Sequence, residues 1–202
     1  IYMNATPRVI YGWAKAGTFF KAFTHIDKAS GIPRPALWLT FGLSIFWTLP
    51  FPSWEQLISV VSAALVLSYA IAPVTAAGLR RNAPDLPRPF RVRAFGIIGP
   101  ISFMISALIV YWSGWNTLSW LLGLQIVMFV VYVMCKGKVP EHTVSLAQQV
   151  KSSLWLIVFY ALIILFSWLG SFGGLNVIGH PWDTVLVAAM SLGIYYWGAR
   201  SC

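Results

Sequence analysis

Residues 57–79 read LISVVSAALVLSYAIAPVTAAGL, and residues 80–93 directly after them read RRNAPDLPRPFRVR. The first stretch has 23 residues and no charge, and about 20 apolar residues are enough for a helix to cross the ~30 Å hydrocarbon core of a bilayer. A charge at the centre of such a helix costs about 2.5–3.5 kcal/mol. The second stretch holds five arginines. An uncharged run that ends in a basic loop predicts a membrane-spanning helix whose second end faces the cytoplasm.

Five further uncharged runs flank this one. The six runs are residues 36–52, 57–79, 94–113, 117–135, 154–171 and 184–199. The chain is 58% hydrophobic and 9% charged, whereas soluble domains have about 25% charged residues. Because backbone groups find no water inside lipid, we expect each run to be a helix. The sequence therefore predicts an all-α integral membrane protein with six transmembrane helices.

The basic residues fix the expected orientation of these helices. All fourteen Lys and Arg residues lie in alternate segments between the runs: Arg8, Lys15, Lys21, Lys28 and Arg34; Arg80, Arg81, Arg88, Arg91 and Arg93; Lys136, Lys138 and Lys151; and Arg200. The positive-inside rule places these segments, and both ends of the chain, in the cytoplasm. We expect the protein to lie in the cytoplasmic membrane. The net charge is +9. We expect the basic residues to face anionic membrane lipids, which attract them, and not to bind nucleic acid.

The segments outside the runs divide the chain into four parts. Residues 1–35 are predicted to be a cytoplasmic connector, in which KAGTFFKAF at residues 15–23 favours either an amphipathic helix in the membrane interface or a simple linker. Residues 36–135 hold four spans, residues 136–153 a cytoplasmic loop, and residues 154–202 two more spans. Because the chain begins with Ile1, we expect it to be a fragment of a longer protein.

Residues with catalytic or metal-binding chemistry are scarce in this sequence. None of the six runs contains an ionisable Asp, Glu, Lys, Arg or His, although such groups are the usual sign of an ion path. The three histidines, His25, His142 and His180, lie in different connecting segments. We find no catalytic constellation, no metal-ligand spacing and no phosphate-binding loop, and therefore expect neither an enzyme nor a bound metal or cofactor.

The second run carries the only candidate site residues. At 100° per residue, Ser59, Ser62, Tyr69 and Pro73 share one face of the helix. Pro73 has no N–H, so the carbonyl of Tyr69 loses its helical donor. One interpretation is a helix that lines a polar transport path. The other is close helix packing with a proline kink, because small and polar residues also favour helix–helix contact in membranes.

Two motifs resemble the amino acid–polyamine–organocation (APC) superfamily of permeases. The first is ATPRVIYGWAKAGTFFKAFTHIDKASGIPRPAL at residues 5–37, with its Arg8, Gly17, Gly31 and Pro33. It is similar to the connector between the eighth and ninth helices of these permeases, although many relatives have a proline before the aromatics at residues 18–20. The second is LRRNAPDLPRPFRVR at residues 79–93, which is similar to the Arg-rich loop after the tenth helix.

The resemblance implies a fold and a function for the chain. The first four spans would be the ninth to twelfth helices of a leucine-transporter-like fold with inverted repeats, and the last two would be additional helices. The function implied is secondary transport of amino acids or related amines by alternating access. A coupling ion, H⁺ or Na⁺, would bind outside this chain, in N-terminal helices of the same protein. The alternatives are a non-transporting membrane scaffold that binds a partner and, less supported by the residues, a membrane-embedded enzyme.

Overall fold

The computed structural model of the protein describes residues 2–17, 19–27, 31–49, 53–135 and 146–201. Every regular element within these ranges is helical. In chain order they are α1 (Tyr2–Lys15), a short 3-10 helix (Lys21–Thr24), α2 (Arg34–Thr48), α3 (Trp54–Asn82), α4 (Phe95–Trp112), α5 (Trp115–Cys135), α6 (Leu146–Leu169) and α7 (Trp182–Ser201). The all-helical class predicted from the uncharged runs is therefore confirmed for the described residues.

Three of the described helices are long and apolar enough to cross a membrane. They are Trp54–Asn82, Phe95–Trp112 and the Ser152–Leu169 part of α6. A shorter apolar helical stretch, Trp115–Val131, lies within α5. Length and composition thus agree with a membrane protein, while the total of six spans stays a prediction.

The helix ends depart from the expected ones mainly at α6. This helix begins at Leu146, eight residues before the run that predicted it, so the last part of the loop expected at residues 136–153 is helical instead. The sequence LAQQVKSS over this part contains no Gly or Pro and several good helix formers, which explains the extension. Residues 136–145, the rest of the expected loop, lie outside the described residues.

The connector before α2 also contains a helix, but not where the sequence favoured one. The helix is α1, and it ends at Lys15. Further along, a 3-10 helix covers Lys21–Thr24, and the choice between an interfacial helix and a simple linker stays a prediction. Gly17, with a φ of 75°, takes the left-handed conformation that commonly terminates helices. The aromatic residues that follow pack on one another, with the rings of Phe19 and Phe23 5.3 Å apart.

The chain divides into two compact units. One comprises residues 1–57 and 126–145, where α1 packs against α2. The other comprises residues 58–125 and 146–202, where α4, α6 and α7 pack on one another. The core of this second unit is built around Phe103 of α4, whose ring centroid lies 5.1 Å from that of Phe159 on α6 and 6.1 Å from that of Tyr195 on α7.

Glycines allow the helices of the second unit to approach closely. A Cβ atom at Gly99 of α4 would overlap the Tyr195 hydroxyl. A Cβ atom at Gly198 of α7 would lie 2.7 Å from Val74 Cγ1 and 2.8 Å from the Trp155 ring. Helix interfaces in membranes favour such small residues because association there depends on close packing of the backbones.

The loop between α3 and α4, residues 83–94, is fixed to the end of α3 by one arginine. The guanidinium of Arg88 donates hydrogen bonds to the carbonyls of Pro84 (3.0 Å), Leu79 (3.0 Å) and Ala83 (2.6 Å). These carbonyls are at or just beyond the last turn of α3. Those of Leu79 and Ala83 also accept backbone N–H groups, from Ala83 (3.1 Å) and Leu86 (3.4 Å), and Arg88 gives each of them a further donor. Arg88 therefore acts as a C-terminal cap and orders the loop.

Candidate functional site

The four residues predicted to line a transport path lie on a largely open face of α3. Ser62 is exposed and Tyr69 is 66% exposed, whereas Ser59 and Pro73 are half-buried. The buried stripe of α3 lies about 100° further around the helix. It consists of Val60, Ala63, Leu67, Ala70, Val74 and Gly78. The described unit thus packs α3 through an apolar stripe and leaves the face with the hydroxyls uncovered.

Ser59 connects this face to α5. Its Oγ lies 3.1 Å from Oγ1 of Thr117 in the first turn of α5, and either hydroxyl can donate. The structure does not bring Ser62 or Tyr69 into that pair. They follow on α3 about one and three turns beyond Ser59. The hydroxyl pair links the first part of α3 to the start of α5.

Pro73 does not interrupt α3, which is continuous from Trp54 to Asn82. The hydroxyl of Thr75 donates to the carbonyls of Ile71 (3.2 Å) and Ala72 (3.0 Å) on the same helix. The carbonyl that Pro73 deprives of its helical donor belongs to Tyr69. The face therefore combines hydroxyl groups with a carbonyl and carries no charge, which suits hydrogen bonding to a small polar solute.

A second polar cluster, which the sequence did not reveal, surrounds a buried carboxylate. Asp183 is fully buried in the first turn of α7. Its Oδ2 accepts hydrogen bonds from the Tyr111 hydroxyl of α4 (2.7 Å) and from the hydroxyl and N–H of Ser171. Its Oδ1 accepts from the N–H of Thr184 (2.6 Å) and lies 3.5 Å from Nδ1 of His180. The carboxylate joins the end of α4, the end of α6 and the start of α7.

The hydrogen bonds decide the ionisation of this carboxyl group. Burial by itself raises the pKa of Asp183, but the hydrogen bonds from Ser171, Tyr111 and Thr184 lower it by more, so that the pKa lies well below its usual value. The first turn of a helix also favours a negative charge. Asp183 is therefore ionised at neutral pH and acts as an acceptor that holds the cluster together.

The loop after α6 is shaped to admit this cluster. A Cβ atom at Gly170 would overlap the Tyr111 hydroxyl, and one at Gly174 would overlap the carbonyl of Ser167. The loop turns back on α6, and the N–H groups of Leu175 and Val177 donate to carbonyls in its last turn at 2.7 and 2.9 Å. The Phe172 carbonyl accepts from the N–H that starts α5, at 2.9 Å. The ends of α4, α6 and α7 thus meet at one buried acid, and the start of α5 is bonded to the loop after α6.

In the sequence, Asp183 directly precedes the uncharged run at residues 184–199. A signal for its burial was available in the Pro-Trp-Asp-Thr start of α7, where an acidic residue in the first turn can accept backbone N–H groups. One of its partners, Tyr111, is 72 residues away in the sequence. No local pattern identifies that pair.

The chain is similar to two bacterial transporters. It is 57% identical over 198 residues to the aspartate-proton symporter of Bacillus subtilis (strain 168), an alignment that covers 98% of this chain and 38% of the symporter. It is 31% identical over 202 residues to the glutamate/serine transporter AimA of the same organism, covering 99% of this chain and 37% of that protein.

The chain therefore spans well under half the length of each of these relatives. Both are named for transport and not for catalysis, which agrees with the expectation that the chain is not an enzyme. No family model matches the chain, and no solved structure matches it.

Proposed function

We propose that this chain is the C-terminal part of a secondary transporter of the APC superfamily that carries an acidic amino acid together with a proton. The observation that carries the proposal is the 57% identity to an aspartate-proton symporter across 98% of the chain. The second relative is named for glutamate and serine, and its glutamate supports an acidic amino acid as the substrate. The symporter's name also favours H⁺ over Na⁺ as the coupling ion, the choice that the sequence left open.

The proposed topology has six spans with both ends of the chain in the cytoplasm. The alternation of the basic segments supports it, as do the three helices of membrane-spanning length. Cysteines introduced one at a time at Glu55 and at Arg91 of the complete protein test it. A reagent that cannot cross the membrane should label the first position from outside the cell and the second only from inside. Labelling of both from one side would refute the topology.

The proposed role of α3 is to border the transport path as the tenth helix of the permease. In such transporters, substrate binds near the midplane, where a core bundle moves against a scaffold. Ser59, Ser62, Tyr69 and Pro73 would face the path, and the open surface of α3 would meet N-terminal helices of the same protein. The exposure of Tyr69 supports this, because the described unit leaves its side chain free for such a contact.

Uptake by the complete protein in proteoliposomes tests the transport proposal. Labelled aspartate should accumulate under an inward proton gradient, and a protonophore should abolish the accumulation. Unlabelled aspartate and glutamate should compete better than a polyamine of similar size. Uptake that requires a sodium gradient instead would refute proton coupling, and absence of aspartate uptake by correctly inserted protein would favour the scaffold interpretation.

The 202-residue chain alone is the matched control for that experiment. It lacks the helices that hold the substrate in the proposed fold, so we expect it to insert into the membrane and to transport nothing. Uptake of aspartate by this chain alone would refute the placement of the substrate site in other helices.

A further inference from the structure

The loop at residues 83–94 presents both charge and apolar surface. Arg91 and Arg93 are exposed, as is Arg81 at the end of α3. Phe90 is 81% exposed and Leu86 is 51% exposed. In the part of the chain that the structure describes, none of these three arginines forms an ion pair, and the pair of Arg34 with Asp27 lies outside this loop. The loop therefore offers cationic groups beside an exposed aromatic ring.

The exposure of Phe90 belongs to an ordered loop. Three prolines, at residues 84, 87 and 89, restrict its backbone, and Arg88 ties it to three carbonyls around the end of α3. The guanidinium of Arg80 lies over the Phe95 ring at 4.0 Å, which fixes the far side of the loop where α4 begins. Phe90 is held outward by this framework while Arg88 and Arg80 are engaged within it.

We propose that this loop and Arg81 form a binding surface for anionic phospholipid. Arg81, Arg91 and Arg93 would bind lipid phosphate, and Phe90 and Leu86 would enter the boundary between headgroups and acyl chains. The loop connects two helices of membrane-spanning length, α3 and α4, so a bilayer surface is the partner nearest to it. Aromatic rings favour that depth, and anionic lipid attracts arginines near it. The inference rests on the membrane placement in the proposed function and not on the substrate or the ion.

Fluorescence of a label at position 90 tests the proposal. The complete transporter, in a cysteine-free background with Phe90→Cys carrying an environment-sensitive fluorophore, is placed in nanodiscs of phosphatidylcholine alone or mixed with phosphatidylglycerol. Both leaflets of a nanodisc have the same lipids, so the orientation of the protein does not affect the result. We expect emission at shorter wavelengths with phosphatidylglycerol, and a loss of this shift at high salt, which screens exposed charges.

Two variants and one labelled control separate lipid binding from general effects. The R81Q/R91Q/R93Q variant should lose about fivefold in preference for phosphatidylglycerol per arginine removed, whereas R81K/R91K/R93K, which keeps the charges, should retain most of it. The label at Val177, which is 68% exposed in a loop without Lys or Arg, should respond equally to both lipid mixtures. Arg88 is left unchanged because it holds the loop in place.

The outcomes distinguish this inference from the proposed function. Equal emission at position 90 in the two lipid mixtures, or an unchanged lipid preference in the glutamine variant, would overturn the lipid surface, and binding of an acidic protein would then be the remaining interpretation. Aspartate uptake is measured on the unlabelled protein in a separate experiment. A transporter that carries aspartate but shows no emission shift would lose only the lipid surface.

Discussion

Replacing the buried carboxylate of Asp183 by an amide tests whether this acid holds the helix ends of the second unit together. Oδ1 accepts from the N–H and hydroxyl of Thr184, and Oδ2 accepts from the hydroxyl of Tyr111 and from two groups of Ser171. The NH₂ group of an asparagine cannot accept a hydrogen bond. Whichever oxygen it replaces in Asp183→Asn, at least two of these donors lose their acceptor.

The expected cost follows from those lost acceptors. A buried donor left without a partner costs about 1–3 kcal/mol, and loss of a negative charge in the first turn of a helix adds about 0.3–1 kcal/mol. Hydroxyl groups can reorient and recover part of this, so we expect a destabilisation of about 2–5 kcal/mol. For a domain of 150–250 residues, that lowers the melting temperature by roughly 4–20 °C.

Thermal unfolding of the detergent-solubilised complete protein measures this destabilisation. It is monitored as the loss of the monodisperse peak in size-exclusion chromatography. Asp85→Asn is the matched control, because Asp85 is exposed in the loop after α3, and surface changes of this kind usually stay within about 0.5 kcal/mol. If Asp183→Asn melts at the same temperature as Asp85→Asn, the carboxylate does not stabilise this region and the reasoning is wrong.

The pH dependence of the melting temperature gives a second test of the role of Asp183. The pKa of Asp183 is lowered in the folded protein, so its contribution to stability is complete above the unfolded value of about 3.9 and is lost as the pH falls towards the folded value. The difference in melting temperature between the parent protein and Asp183→Asn should therefore be full at pH 7 and should shrink below about pH 4. A difference that grows as the pH falls would contradict the assigned direction.

Three further variants test other parts of the structure. Gly170→Ala should destabilise the protein by about 1–3 kcal/mol because the added Cβ overlaps a core hydroxyl. Gly123→Ala, with no atom within 4 Å of its Cβ, should leave the melting temperature unchanged or raise it slightly. Equal melting temperatures of the two variants would refute the overlap. Tyr69→Ala should weaken aspartate uptake and leave membrane insertion intact, and unchanged uptake kinetics would remove this residue from the path. Arg88→Gln should increase cleavage of the loop after α3 by limited proteolysis several-fold, whereas Arg91→Gln should not; equal cleavage would mean that the carbonyl contacts do not order the loop.

The long uncharged runs predicted the central helices well. The ends of α3 and α4 lie within three residues of the runs that predicted them, because charged flanks and turn residues mark where a helix leaves lipid. The sequence did not predict α1, since its residues mix basic, aromatic and small side chains and include Pro7. Weak local preferences of that kind decide a helix only with the help of packing, here against α2.

The two polar features of the second unit show the limit of the same reasoning. The hydroxyls of α3 were found because they recur on one face of a single helix, a pattern that the sequence contains. The pairing of Ser59 with Thr117, 58 residues away, and the burial of Asp183 depend on which helix ends meet in three dimensions. Spacing along the chain does not indicate which helix ends come into contact. The Ser59–Thr117 pair and the burial of Asp183 are therefore known only from the structure.

The position of one acid at the junction of several helix ends also constrains how the protein can change shape. Separating the ends of α4, α6 and α7 would require breaking the hydrogen bonds to Asp183 at the same time. A motion that keeps these hydrogen bonds intact costs less free energy, and it moves the three helix ends together as one rigid body. Hinges for a conformational cycle are therefore to be sought elsewhere in the protein, for instance around Pro73 in the middle of α3.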